Sequence, residues 1–147
     1  MGINTLNTLG PRTFPALALG LVHIIRETCP TTPITVVSPI SYPPNETEPS
    51  ATGNTMETMR TDLEEVVRRL ADRDGDSLLR YVDGLKVFNH DEIAQWTTDQ
   101  CHPNGDGSAP PRLFHRLFRL QRSLPRSADP VPLRVQCLCK RRTSARR

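Results

Sequence analysis

Met56, Met59, Leu63, Val66 and Leu70 recur at alternating steps of three and four, which predicts an amphipathic helix of about four turns. The opposite side carries Glu57, Arg60, Glu64, Arg68 and Asp72, a charged face expected to stand in water. The two methionines read as flexible core filler. Upstream, Leu17, Leu21, Ile24 and Ile25 share one face of a second helix, with Arg26 and Glu27 near its end. Thr13 is expected to cap that helix, Pro15 is tolerated near its start, and Pro30 and Pro33 stop it. The β-branched run Ile34-Thr35-Val36-Val37 predicts a short strand buried on both faces. Leu78 to Val82 predicts a second strand, ended by Asp83-Gly84. Ser38 to Gly53 holds four prolines and reads as a long loop. His90 to Gly107 reads as irregular, with one short turn near Asp91 to Trp96. Helix, strand, helix, strand in that order predicts an α/β layer with parallel strands. Chemistry in such layers gathers beyond the strands' carboxyl ends, here in loops 38–53 and 83–107.

Charge divides the chain. Residues 1–107 hold 8 basic and 15 acidic side chains, a net of −7, whereas residues 108–147 hold 11 basic and 1 acidic, a net of +10. A break this sharp predicts one folded domain followed by an arginine- and proline-rich tail of different character. The length of 147 residues suits a single modest core. The longest apolar run, Ala16 to Ile25, is too short to span a bilayer and contains His23. The first residues show no secretory signal, so the chain as written reads as cytoplasmic, and the glycosylation triplet Asn45-Glu46-Thr47 carries little weight. Cys29, Cys101, Cys137 and Cys139 form no C-x-x-C pair. A zinc site using Cys101, His102 and the tail cysteines can be drawn without spacing to support it, and free thiols are the preferred reading.

Candidate chemistry centres on Asp99-Gln100-Cys101-His102-Pro103-Asn104-Gly105. An aspartate three residues before a histidine can accept a hydrogen bond from Nδ1–H and leave Nε2 to take a proton from a nucleophile. Pro103 restricts the backbone beside the pair. On spacing alone, a surface loop histidine and a turn aspartate are the preferred reading. Further segments accompany this run in order: Gly2-Ile3-Asn4, Arg12-Thr13-Phe14, Ile25-Arg26-Glu27, Thr32-Pro33-Ile34, Val37-Ser38-Pro39-Ile40 and Tyr81-Val82-Asp83-Gly84-Leu85. As an ordered set they resemble the C-terminal half of an SGNH-type (GDSL-like) serine esterase. The resemblance implies an α/β fold, a flavodoxin-like three-layer α/β/α arrangement with a parallel sheet, and ester hydrolysis by acyl transfer without metal or cofactor. It implies His102 as general base, Asp99 as its orienter and Asn4 as a donor to the oxyanion. Thr5 stands where the family's G-x-N-D block usually has aspartate.

The same resemblance implies that the nucleophilic serine belongs upstream of the asparagine block, so residues 1–107 read as an N-terminally truncated domain lacking its nucleophile. A literal Gly75-Asp76-Ser77-Leu78 occurs, but it follows a charged helix end and precedes a strand, the reverse of a nucleophile block. Ser77 is therefore judged a decoy, with Gly75 as a helix C-cap; Ser38 and Ser41 read as loop structure. The expected substrate is a small-molecule ester, and a complementing N-terminal half is a conceivable partner. Three readings of the tail remain. It is a frameshift product, a basic arm for nucleic acid or another polyanion, or a diverged last helix through Leu113, Phe114, Leu117, Phe118 and Leu124. The frameshift is preferred, since residues 119–147 contain no aromatic side chain for base stacking. A non-catalytic module presenting that basic arm is the competing function.

Overall fold

A computed structural model describes residues 2–102, Trp96 through its backbone only. Pro103-Asn104-Gly105, the tail 108–147, its possible last helix and Cys137 and Cys139 all lie outside the described residues. The chain runs α1 (Ile3–Leu6), α2 (Thr13–Thr28), β1 (Ile34–Val37), a 3₁₀ turn (Pro43–Asn45), α3 (Met56–Asp74), β2 (Leu79–Val82), α4 (Gly84–Val87) and α5 (His90–Trp96). This is a mixed α/β arrangement, as the order of helices and strands predicts.

Helix α3 is punctuated at both ends by its own sequence. Thr55 Oγ1 accepts the Thr58 N–H at 3.0 Å while Thr58 Oγ1 accepts the Thr55 N–H at 3.0 Å, a reciprocal cap on two otherwise orphaned donors. Gly75 closes the other end in the left-handed region at φ 65°, which a β-carbon would disfavour. The buried stripe is Met56, Met59, Leu63, Val67 and Leu70, with Val66 packed at its edge. Each such side chain withdrawn from water contributes about 1.5–3 kcal/mol. The structure corrects the charged face at one point. Arg60 is buried rather than solvated, because it lies four residues after Met56 and three before Leu63, on the apolar side.

Helix α2 departs further from the sequence pattern. Phe14, Ala18 and Val22 are the residues that meet α3, while Leu17 and Ile24 stand 51% and 61% exposed and Leu21 also faces outward. The helix is apolar around most of its circumference, so periodicity could not select the packed face; Phe14, read only as part of the opening of the helix, does so by filling the space beside Met56 and Met59. Thr13 is the first helical residue rather than the cap, and its hydroxyl donates to Gly10 O at 3.0 Å.

Strands β1 and β2 form a parallel two-stranded sheet in the register Ile34↔Leu79 to Val37↔Val82, joined by α3 as the crossover. Ile34, Val36, Leu79 and Tyr81 pack with Val22, Val67 and Leu70 beneath the helices. Thr35 is exposed, so β1 is not buried on both faces among the described residues. The region after β2 is more regular than expected. Asp83 Oδ1 caps α4 through the Leu85 N–H at 3.0 Å, and Asn89 with Glu92 makes a reciprocal cap on α5. Elements this short leave too few turns for a periodic signal, and their caps carry the information instead.

Candidate functional site

The loops leaving the two strands are locked together at their carboxyl ends. Ser38, buried just after β1, accepts the Gly84 N–H at 2.9 Å and the Tyr81 hydroxyl at 3.0 Å. Gly84 lies so close to the Ser38–Pro39 backbone that a β-carbon there would overlap both carbonyl oxygens. Arg60 reaches the same region from α3 and forms an ion pair with Glu46, both side chains being largely buried. Burial pushes the Arg60 guanidinium below its ordinary range, opposed by the nearby Asp83 and Tyr81. Burial also raises the Tyr81 phenol, against the pull of its bond to Ser38.

Above this platform opens a cleft of about 460 Å³ lined by Gly2, Ile3, Asn4, Val37, Ser38, Pro39, Ile40, Cys101 and His102. It brings Asn4 and His102 together from the two ends of the described chain. Asn4 is held on α1, which is pinned by the fully buried Leu6 and by a hydrogen bond from Ser50 Oγ to Leu6 O (3.1 Å), while Asn54 Nδ2 holds the segment after it through Leu9 O (2.6 Å). Thr5 donates its hydroxyl to Gly2 O at 2.6 Å and so braces the same turn.

Asp99 and His102 meet on one tight turn. Asp99 Oδ2 lies 2.7 Å from His102 Nδ1, while Oδ1 accepts the His102 N–H at 2.7 Å and the Cys101 N–H at 2.9 Å. Gln100, between them, takes φ 58°, a conformation uncommon for a residue with a side chain. Three donors on one carboxylate hold Asp99 well below the usual carboxylate range, chiefly through the His102 backbone N–H, then its ring and the Cys101 N–H. The side chains of His102 and Asp99 are 78% and 50% exposed, so the contact adds little stability and acts by fixing ring orientation. A carboxyl whose folded value is depressed supports the turn above its unfolded value of about 3.9 and loses that support as pH falls through the folded value. Asp99 is thus expected to stay ionised through the ordinary aspartate range in a carboxyl carbon-13 titration; an ordinary midpoint would mean that the turn does not form.

At His102 the other nitrogen, Nε2, faces Cys101 Sγ at 3.9 Å, a contact the D-x-x-H pattern does not signal. Burial and the Asp99 charge push the Cys101 thiol up. Among the described residues no group of three His, Cys, Asp or Glu side chains could hold a metal ion, and no helix is long and apolar enough to cross a membrane.

Ser77 lies elsewhere. It sits before β2 beside a separate hollow lined by His23, Arg26 and Asp76, at the amino end of the strand. The local letters have structural employment: Gly75 caps α3, and Asp76 takes Arg26 Nε at 2.6 Å and Nη2 at 3.1 Å while its Oδ1 accepts the Leu78 N–H. A serine–histidine contact, Ser41 Oγ to His90 Nδ1 at 2.6 Å, was not legible in the sequence. Ser41 is fully buried, so its hydroxyl cannot meet an ester and serves to tie the loop to α5.

No family model matches the chain, and no curated protein matches it. Among solved structures, the chain is similar to the salicylyl-acyltransferase SsfX3 from a tetracycline biosynthetic pathway, with 26% identity and a TM-score of 0.59 over 83% of this chain. The match takes in 34% of that structure, so the chain spans about a third of the length of the acyltransferase it resembles. An α/β chain with structural similarity to an acyltransferase is what these observations establish.

Proposed function

We propose that residues 1–107 are part of an SGNH-type ester hydrolase or acyltransferase with a flavodoxin-like three-layer sheet, acting on a small-molecule ester. The observation that carries this reading is the Asp99–His102 contact of 2.7 Å beside a cleft that His102 and Asn4 both line, at the carboxyl end of the parallel strand β1. With the Nδ1 proton directed to Asp99, Nε2 is the basic nitrogen that withdraws the proton of a serine hydroxyl as it attacks the ester carbonyl. The Asn4 amide donates to the oxyanion formed in that step. The serine itself comes from a segment outside this chain, and Ser77 takes no part.

The isolated 147-residue chain is therefore expected to resist a serine-directed fluorophosphonate probe, and stoichiometric labelling would overturn the reading. Co-expression with a polypeptide carrying a strand followed by Gly-Asp-Ser is expected to yield esterase activity. In that pair His102→Ala should lower turnover by about 10²–10⁴-fold, the usual contribution of a positioned base. Unchanged turnover would remove His102 from the mechanism.

A further inference from the structure

Serine supply leaves one side chain of the cleft unassigned. Cys101, His102 and Asp99 stand in a row, with Sγ 3.9 Å from Nε2 and Nδ1 2.7 Å from Oδ2, and both Cys101 and His102 line the 460 Å³ cleft. That is the order of nucleophile, base and orienter that defines an activated nucleophile, with spacings that commonly tighten once substrate is bound. We propose that Cys101 is itself an acyl acceptor, taking the acyl group of a small activated ester as a thioester. The proposal rests on the acyl-transfer reading above and adds to it a second nucleophile on this chain.

The step balances without any co-reactant. Sulfur forms a bond to the ester carbonyl carbon as its proton passes to His102 Nε2. The carbon–oxygen bond to the alcohol then breaks, and His102 returns that proton to the departing oxygen. An ester plus a thiol become a thioester plus an alcohol. Burial and the Asp99 carboxylate both disfavour a preformed thiolate at Cys101, so the proton must leave during attack and the base is needed. This separates Cys101 from a merely accessible thiol. Cys29, exposed at the C-terminal cap of α2, has no histidine partner among the described residues and provides a reference in the same molecule.

The test uses the full chain, reduced, mixed with 4-nitrophenyl acetate and quenched at intervals for peptide mapping by mass spectrometry. Cys101 is expected to be acetylated about 100-fold faster than Cys29, within the range for general base assistance. His102→Ala should bring Cys101 down to the Cys29 rate while leaving Cys29 unchanged, and Cys101→Ala should remove the fast nitrophenol release. His102 is exposed, so its loss does not threaten the core, and an unchanged circular dichroism spectrum checks this. Equal rates at Cys101 and Cys29, or a Cys101 advantage that survives His102→Ala, would overturn the proposal. Neither result touches the serine-dependent reading, which stands or falls on the fluorophosphonate and co-expression results.

Discussion

Gly84→Ala is expected to destabilise the protein by about 3 kcal/mol, the upper end for overpacking against atoms that cannot give way. The reason is local and geometric. Position 84 opens α4 directly against the Ser38 and Pro39 carbonyls, which belong to backbone rather than to flexible side chains. Making room for a methyl group must separate the two loops, and the Gly84 N–H then leaves Ser38 Oγ, a buried hydroxyl that also holds Tyr81. The midpoint of urea unfolding should fall with little change in m, since the same surface is exposed. Gly20 provides the contrast. No atom lies within 4 Å of a β-carbon placed there, so Gly20→Ala within α2 should be neutral or stabilise by up to about 1 kcal/mol. If both substitutions left the midpoint unchanged, the close approach of the two loops would be wrong.

Arg60→Met is expected to cost about 3–5 kcal/mol, because it leaves the Glu46 carboxylate without its counter-ion in a largely buried place. Arg60 does more than pair. Its guanidinium lies near Pro39 O, and its own carbonyl accepts the Tyr81 hydroxyl at 3.3 Å, so the loop beneath the cleft converges on this turn of α3. Removing both charges tests the cause. In the double variant Arg60→Met/Glu46→Leu no charge is stranded, and stability should recover most of the loss. A double variant as unstable as the single one would assign the cost to lost packing of the long arginine side chain rather than to the charge.

The two variants lie where reading by sequence reached its limit. The charged face of α3 is legible as a set, but a helical wheel shows only that position 60 borders the apolar stripe and so groups Arg60 with the solvated charges. Whether that border is wet depends on Glu46, which arrives from the proline-rich loop 38–53. Ser38 and Ser41 were legible as loop residues, but not as the ties that hold that loop to β2, α4 and α5. On α2 the expected face of Leu17, Leu21, Ile24 and Ile25 gave way to Phe14, Ala18 and Val22, since an almost wholly apolar helix offers more than one face to a partner.

What the sequence determined by itself is local: the extent and caps of α3, the two short strands, the left-handed stop at Gly75, and the spacing that lets Asp99 hold the His102 ring. The helix, its ends and the Asp99–His102 turn rest on hydrogen bonds between residues no more than about four apart, so adjacent letters suffice to specify them, whereas the strands are legible from their apolar, β-branched runs although their hydrogen bonds join distant segments. The tertiary structure alone decided which side of α2 is covered, that Arg60 is buried, that Asn4 and His102 share one cleft, and that Cys101 sits at the free nitrogen of His102. Those outcomes depend on contacts between distant segments, or on the exact turn taken at Gln100, and on which surfaces exclude water. No pattern within a single element encodes that choice, because burial is settled by the partner as much as by the residue.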